Sequence, residues 1–448
     1  MVCKRTLIKL IAVALAAFFL CGCGKPSEEA TEKTPPTSVS TTEQGKKTVT
    51  VRIALNTGYF SAAVRAYNKQ SPDYEVELIT QTGLNFNEKL EVQLATGEAA
   101  DVIENSMVNL DSLAKKGAFL PIDDLINDHE DEYFESALKS GKVDGVQYML
   151  PYQISLCTYI TSKDIAGDLA SWNIDEYMER IEASGVSYAE YIHPVLIIDH
   201  IAISDLDSKR YIDWDKGESK LDEPPFIRVL EFAKKYGKVG GESMSKAWEE
   251  GLYEGTIAGD SSNVSDAFTF MNKYDAYFKN NASYIGYPGE KRSSGFLSPT
   301  GFMINSKAKN VDGAKDFLQW IISKEGEQTY LEASYKMGGE IRRMYCILPT
   351  RRDVFLQEFE DYQSETPGAV HYYSPYKMFE YDVAPLTEEQ AETFQRLINE
   401  ARPTNTKINP IMDIIDEEIE PFLDGRKSAE EVAKVMDSRV QIYFDEQK

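Results

Sequence analysis

The order of strand-like and helix-like segments at the start of the folded part limits the architecture most. Residues 48–55 alternate between apolar and polar side chains, as a half-buried strand does, and residues 59–67 carry apolar side chains at helical spacing. A second alternating stretch covers 74–79, a helix is expected over 86–96, and 101–103 has the pattern of a short buried strand. Strands that alternate with helices predict an α/β fold with helices on both faces of a sheet.

The N-terminal segment has the pattern of an export signal. Three basic residues precede a twelve-residue apolar run, 10–21, which is too short to span a bilayer but suits the core of a secretory signal. Gly22-Cys23 then resembles the site cleaved in bacterial lipoproteins, before a cysteine that carries lipid. We therefore expect residues 1–22 to be a signal peptide and Cys23 to anchor the protein in the membrane. A plain secretory signal with incidental cysteines is the alternative.

Composition separates a tether from the folded part. Ser, Thr, Pro and charged residues dominate 24–48, so we expect 23–48 to be the lipidated cysteine and a disordered tether. The roughly 400 residues that follow suffice for two domains or one large two-lobed unit. The formal net charge of −25 disfavours nucleic acid or anionic lipid as a partner.

Sequence patterns of enzymes and metal sites are missing. The chain has no Gly-x-Ser-x-Gly, no His-Glu-x-x-His and no phosphate-binding glycine loop. Its four histidines lack ligand spacing, and Pro194 disfavours a helix that would bring His193 and His200 onto one face. We predict neither an enzyme nor a cofactor or metal site, although the many carboxylates leave a secreted glycosidase open. Cys157 and Cys346 lie in apolar runs and are expected to be buried thiols, with a disulfide between them as the alternative.

Capping signals predict three later helices. Each has a side chain that can accept hydrogen bonds from the first turn, and two have the glutamate of a capping box. The predicted caps are Asn173 with Glu176, Asp222 before a helix with Pro224 and Pro225 that ends at Gly237, and Ser428 with Glu431.

Eight short motifs then follow one another along 49–448. One is Leu348-Pro349-Thr350-Arg351, and the others cover 94–103, 117–123, 144–151, 172–176, 253–258, 314–322 and 425–431. In order and spacing they resemble the extracellular solute-binding proteins of carbohydrate ABC transporters, the class that includes maltose-binding protein.

The resemblance implies a two-lobed periplasmic-binding-protein-like fold, each lobe a sheet flanked by helices, joined by crossover strands. The first lobe would take 49–155 and 296–345, and the second 156–295 and 346–448. It also implies a monomer, anchored outside the cell membrane, that closes on a small ligand and delivers it to an ABC transporter permease. A polyamine, a peptide or a sugar phosphate as the ligand, and a role as a surface sensor, stay open.

Candidate ligand-binding residues follow from topology, because ligands bind beyond the carboxyl ends of strands in doubly wound sheets. Amides and carboxylates suit paired sugar hydroxyls, and aromatic faces suit the apolar side of a sugar ring. The predicted binding residues are Asn56, Tyr59, Gln81, Asn105, Ser106, Tyr152, Gln153, Asp260 and Ser261. The predicted loop after Gly259 lacks the tryptophan with which maltose-type members stack on sugars, so a linear maltodextrin is not expected. The amides favour a neutral saccharide over a cation.

Overall fold

The structure is a computed structural model of the chain. It describes residues 45–54, 58–81, 86–105, 108–240, 245–264, 267–290, 293–337, 348–357, 370–404 and 406–447. The signal peptide, residues 23–44 of the predicted tether, and Asn56, Ser106 and Cys346 lie outside the described residues, and Tyr59 is described only by its backbone. The last two residues of the predicted tether, Lys47 and Thr48, belong to strand β1.

The strands form one mixed sheet and three short hairpins. Their bounds are β1 Lys47–Ile53, β2 Tyr74–Thr80, β3 Val102–Glu104, β4 Lys142–Val143, β5 Val146–Gln147, β6 Leu150–Ser162, β7 Ile212–Asp213, β8 Glu218–Ser219, β9 Gly259–Val264, β10 Ala282–Ser283, β11 Gly295–Ile304, β12 Val370–Tyr373, β13 Glu380–Val383 and β14 Arg402–Pro403.

The helices surround this sheet. Their bounds are α1 Gly58–Gln70, α2 Phe86–Thr96, α3 Leu110–Lys115, α4 Glu135–Lys139, α5 Lys163–Ala166, α6 Ile174–Ser184, α7 Pro194–Ile198, α8 Pro224–Tyr236, α9 Lys246–Glu254, α10 Ala267–Tyr277, α11 Val311–Ile321, α12 Lys324–Met337, α13 Glu388–Glu400, α14 Asn409–Leu423 and α15 Ala429–Glu446. A π-helical turn, Asp199–Ile203, continues α7. Within the described ranges, none of the helices combines the length and apolar character needed to cross a lipid bilayer.

The main sheet has eight strands in the order β10-β6-β11-β3-β1-β2, with β9 beside β6 and β14 beside β11. The first three strands are parallel, as the alternating pattern predicts. The long strands β6 and β11 run antiparallel to each other and carry the chain between the lobes. The fold is thus a two-lobed α/β fold with crossover strands, which confirms the predicted fold class.

Separate buried clusters fill the two ends of the sheet. In one cluster, side chains of α1, α11 and α12 pack on β1 and β3. In another, side chains of α6, α7, α8, α14 and α15 pack around the fully buried Trp172. Each cluster contains apolar side chains that recur once per helical turn, so its helices need this burial to be stable.

The strand β6 is longer than the sequence predicts. The motif at 144–151 predicts a strand that ends at Pro151, with the candidate residues Tyr152 and Gln153 after it. This prediction is wrong, because the strand continues to Ser162. Pro151 pairs with Gly301 where the β6–β11 register shifts between Thr300 and Gly301, and a proline is tolerated at such an interruption. A side chain at position 301 would come within 2.5 Å of the Leu150 carbonyl oxygen, so the irregular pairing also requires glycine.

The predicted loop after Gly259 is also wrong, because β9 continues through Asp260 and Ser261 to Val264. A run of polar side chains lacks the apolar alternation of a strand. Pairing with β6, from Gly259 opposite Thr161 to Val264 opposite Leu156, makes this segment a strand.

The helix caps agree with the prediction in two of three cases. Both capping boxes form, at Asn173 and at Ser428. The prediction for Asp222 is wrong, because Glu223 precedes the helix and no side chain caps it. The two prolines of the first turn carry no N–H, which leaves fewer donors to cap. Gly237 ends the helix as predicted.

The inference from Pro194 is also wrong. Pro194 begins α7, where the missing N–H is not needed, and His193 caps it. His200 lies in the following π turn, and its Nδ1 is 2.8 Å from the hydroxyl oxygen of Tyr287.

The capping box of α15 provides a test of local helix stability. Replacing Ser428→Ala removes the acceptor for the backbone N–H of Glu431, so we expect a loss of about 1 kcal/mol in the free energy of unfolding. Urea denaturation measures this change in the free energy of unfolding. Lys434→Ala, at an exposed position of the same helix, is the matched control, with a change of less than about 0.5 kcal/mol expected. Equal effects of both changes would contradict the assigned cap.

Candidate functional site

The crossover strand β6 has one apolar face and one polar face. Ile154 and Leu156 are buried against α4 and α13, whereas Gln153, Ser155 and Cys157 remain partly exposed on the other face. Side chains of a strand alternate between faces, so these three share a surface.

Neighbouring strands extend this polar surface. On β11, Thr300 lies opposite Gln153 and Ser298 lies opposite Ser155. On β9, Asn263 lies opposite Cys157, and Ser261 follows two positions away on the same face. We call this surface the crossover face and define it as Gln153, Ser155, Cys157, Ser261, Asn263, Ser298 and Thr300. All seven side chains are uncharged, and Asn263 and Ser298 are exposed.

Gln153, one of the predicted binding residues, lies on the crossover face opposite Thr300. Its Nε2 donates to Thr300 Oγ1 at 3.1 Å, and its Oε1 accepts from the Tyr330 hydroxyl at 2.8 Å. The amide is therefore held in one orientation on the crossover face, which is how a binding group is preorganised.

Asn105 holds the irregular part of β11. Its Nδ2 donates to the Pro299 carbonyl, and its Oδ1 accepts from the Gly301 N–H, both at 3.0 Å. These bonds replace the ladder that the register shift interrupts. The Asn105 amide thus stabilises β11 beside the crossover face, and its two hydrogen bonds are made to the protein backbone.

Two other predicted residues have their polar groups engaged by neighbouring side chains. Tyr152 is buried, stacks on Phe302 at 4.7 Å between ring centroids, and donates to Glu104 at 3.0 Å. Gln81 accepts from Nε of Arg52 at 3.1 Å. The structure does not bring either side chain onto the crossover face.

Asp260 and Ser261 point to opposite faces of β9. Asp260 is buried on the apolar side, where it accepts from Trp248 Nε1 at 3.0 Å and from the Tyr274 hydroxyl. Burial raises its pKa, while Lys273 and these hydrogen bonds oppose the rise. It pairs with Ile160, seven residues along β6 from Gln153, which is about 23 Å at 3.3 Å per residue. One small ligand therefore does not contact both Gln153 and Asp260.

Several residues of the crossover face are missing from the residues predicted from the sequence. Ser155 and Cys157 continue the polar alternation past Pro151, and that alternation is the signal that points to them. Ser298, Thr300 and Asn263 become neighbours only through strand pairing, which no local pattern reveals.

Glu190 lies beneath the crossover face. It is fully buried, and the Ser261 hydroxyl interacts with its carboxyl. Burial raises its pKa to about 8; Asp260 adds to the rise, and the nearby Ser261 hydroxyl opposes it. Within the described ranges, no three His, Cys, Asp or Glu side chains are grouped so as to hold a metal ion.

Glu327 is a second buried carboxyl, with a different environment. It accepts from the backbone N–H groups of Thr350 at 3.2 Å and Arg351 at 3.1 Å, and from the Thr350 hydroxyl. Burial nevertheless raises its pKa to about 8. It joins α12 to residues 348–351, which bridge to β6 at Ile154.

These two carboxyls make stability depend on pH. Both are protonated in the folded protein below about pH 8, whereas in the unfolded chain they ionise near pH 4.5. Their contribution to the free energy of unfolding is thus complete below pH 4.5 and is lost as the pH rises to about 8. Thermal unfolding between pH 5 and 9 should show a falling midpoint, with a shallower fall in Glu327→Gln. Glu392→Gln, at an exposed position, is the matched control and should keep the wild-type dependence of the unfolding midpoint on pH. An unchanged dependence in Glu327→Gln would contradict the raised pKa assigned to Glu327.

Comparison with known proteins relates this geometry to a family. The sequence profile described as "Bacterial extracellular solute-binding protein" matches residues 54–328. No curated protein sequence matches the chain significantly.

Solved structures share the fold at low sequence identity. MalE, the sugar-binding protein of Xanthomonas citri, is 14% identical with a TM-score of 0.60, covering 90% of this chain and 98% of that one. An ABC substrate-binding protein of Listeria monocytogenes, in complex with cycloalternan, is 16% identical with a TM-score of 0.59, covering 89% and 99%. The GacH receptor of Streptomyces glaucescens, solved unliganded and with acarbose, is 17% identical with a TM-score of 0.57, also covering 89% and 99%.

Proposed function

Because this chain belongs to the bacterial extracellular solute-binding protein family, we propose that it binds a neutral saccharide at the crossover face and delivers it to an ABC transporter permease. The crossover face carries the proposal. Its hydroxyl and amide groups can both donate and accept hydrogen bonds, as sugar hydroxyls require. The three similar structures described above include complexes with cycloalternan and acarbose, which agree with a saccharide.

Charge favours a saccharide over the other candidate ligands. A polyamine site needs several carboxylates, and a sugar-phosphate site needs arginine or lysine. The crossover face has neither, since its seven members are uncharged. Asp260, the one acid among the predicted binding residues, lies on the opposite face of β9.

The mechanism we propose is hinge closure without covalent chemistry. The lobes, 49–155 with 296–345 and 156–295 with 346–448, would rotate about β6 and β11 and enclose the ligand. Closure would then present a surface to the permease that the open protein lacks, so that only the loaded form is recognised.

Ligand binding can be tested directly on purified residues 24–448. We expect cycloalternan, acarbose, maltose or α-D-tagatose to raise the melting temperature. A ligand at 100 times its dissociation constant stabilises the folded protein by about 2.7 kcal/mol. Gln153→Ala should weaken binding by about 1–3 kcal/mol, measured by calorimetry, because it removes an oriented hydrogen-bonding group. Asp260→Asn, on the other face of β9, is the matched control. Binding of spermidine at micromolar concentration with no response to any saccharide would overturn the proposal.

We also propose that the protein is lipid-anchored outside the cell membrane, with residues 1–22 removed, Cys23 acylated and the segment between Cys23 and β1 as a tether. The apolar run 10–21 followed by Gly22-Cys23 supports this. Acyl chains contribute about 0.8 kcal/mol per buried CH2.

The anchor can be tested by fractionation. Cys23→Ser should release the protein into the medium or the periplasm, because no sulfur remains to carry lipid. Cys21→Ser should stay membrane-bound, since Cys21 lies before the cleavage site. Retention of the Cys23→Ser protein in the detergent phase would count against the anchor but not against saccharide binding.

A further inference from the structure

Two chain segments approach each other beside the crossover face. β3 and β14 pair with the same edge of β11, β3 opposite residues 302–304 and β14 opposite residues 296–297. Because β14 runs parallel to β11 and β3 runs antiparallel, the two strands point toward each other across the gap between these positions. β3 then leads into α3, and β14 leads into a 3-10 turn, Thr406–Ile408.

Both segments lie on the side of the sheet that carries the crossover face. α3 packs in the cluster that contains Met149, which continues the alternation of Gln153 along the chain. Ile408 of the 3-10 turn packs in the cluster that contains Phe296, which lies opposite Cys157. The crossover face is therefore bounded by α3 at one end and by the 3-10 turn at the other.

An ion pair connects the two segments. Nζ of Lys407 lies 3.7 Å from Oδ1 of Asp111, which is in the first turn of α3. Oδ2 of Asp111 accepts from Nζ of Lys115 at 3.0 Å within the same helix. Oδ1 is shielded from solvent and has no hydrogen-bond partner among the described residues, so its charge depends on nearby cations. Tyr443 of α15 also interacts electrostatically with both Asp111 and Lys115.

The contact is polar, since the apolar side chains on its two sides belong to separate clusters. Leu110 and Leu113 of α3 are in one cluster, whereas Ile408 and Tyr443 pack against the other. A shared apolar core would hold the segments together permanently, because its exposure is costly. A partly exposed ion pair contributes much less and can break and form again.

We propose that Asp111 and Lys407 form a latch between the two proposed lobes, which favours the closed form of the protein even without a ligand. The inference rests on the proposed hinge closure, in which α3 belongs to the lobe 49–155 and Lys407 to 346–448. The apparent affinity of a ligand is its intrinsic affinity multiplied by the fraction of protein in the binding-competent form. The latch therefore raises saccharide affinity through the closed fraction, without a contact to the saccharide.

The latch makes closure depend on salt. The side chains of Lys407 and Asp111 are 38% and 19% exposed, so dissolved ions reach the pair. Charges interact over about 30 Å at an ionic strength of about 0.01 M, but over only about 3 Å at about 1 M. A neutral saccharide has no charge to screen, so a loss of affinity at high salt would come from the protein.

Small-angle scattering of the purified protein without ligand tests the latch directly. Lys407→Met removes the charge at similar side-chain length, so the radius of gyration should increase, and high salt should increase that of the wild type in the same way. Lys407→Arg keeps the charge and should keep the wild-type value. The matched control is Lys246→Met, which removes an exposed ion pair with Glu250 within one helix and should also leave the radius of gyration unchanged.

Calorimetry with the saccharide that gives the largest thermal shift measures the consequence for binding. Lys407→Met should bind about two- to fivefold more weakly than the wild type at low salt, and its affinity should not fall further at high salt. An equal radius of gyration in ligand-free wild type and Lys407→Met would overturn the latch while leaving saccharide binding intact. If no saccharide binds, the proposed function fails, whereas scattering without ligand still decides whether the latch exists.

Discussion

The antiparallel pairing of β6 with β11 is the interaction on which the rest of the structure depends. The ladder runs from Gly295 opposite Thr158 to Phe302 opposite Leu150 and connects the two lobes. Because side chains alternate along a strand, this one register buries Ile154 and Leu156 and leaves Gln153 and Ser155 on the crossover face. A slip of one residue would exchange the two faces, burying the amide and hydroxyl groups and exposing the core.

The interruption in that ladder is held from outside the two strands. Asn105, which follows β3, bonds to the backbone on both sides of Thr300. Glycine at 301 and proline at 151 make the irregular pairing possible, one by lacking a side chain and the other by needing no ladder hydrogen bond. A residue after β3 thereby fixes the geometry of β6 and β11, the two strands about which closure is proposed.

Buried carboxyls in this protein have two different environments. Glu327 is surrounded by donors from residues 350 and 351, and Asp260 by those of Trp248 and Tyr274, so both stabilise the positions of neighbouring segments. Burial raises the pKa of Glu190 to about 8 as well, but the one donor beside its carboxyl for which an interaction is recorded is the Ser261 hydroxyl. Burial therefore raises the pKa of all three carboxyls, whatever donors surround them.

The sequence by itself determined the α/β class, the first three strands, the capping boxes at Asn173 and Ser428, and the motif order typical of solute-binding proteins, because each depends on residues close together in the chain. Local patterns misplaced the end of β6 at Pro151, the β9 segment after Gly259 and the cap at Asp222, and they disfavoured the helix that begins at Pro194. Proline and polar residues weaken the local signal for a strand or helix, and tertiary contacts then decide the structure. Only the tertiary structure decided which polar side chains share a face. Gln153 lies opposite Thr300, and Cys157 lies opposite Asn263, through the register of strands that are more than a hundred residues apart in the chain. No local pattern contains that register, because it depends on contacts between distant segments.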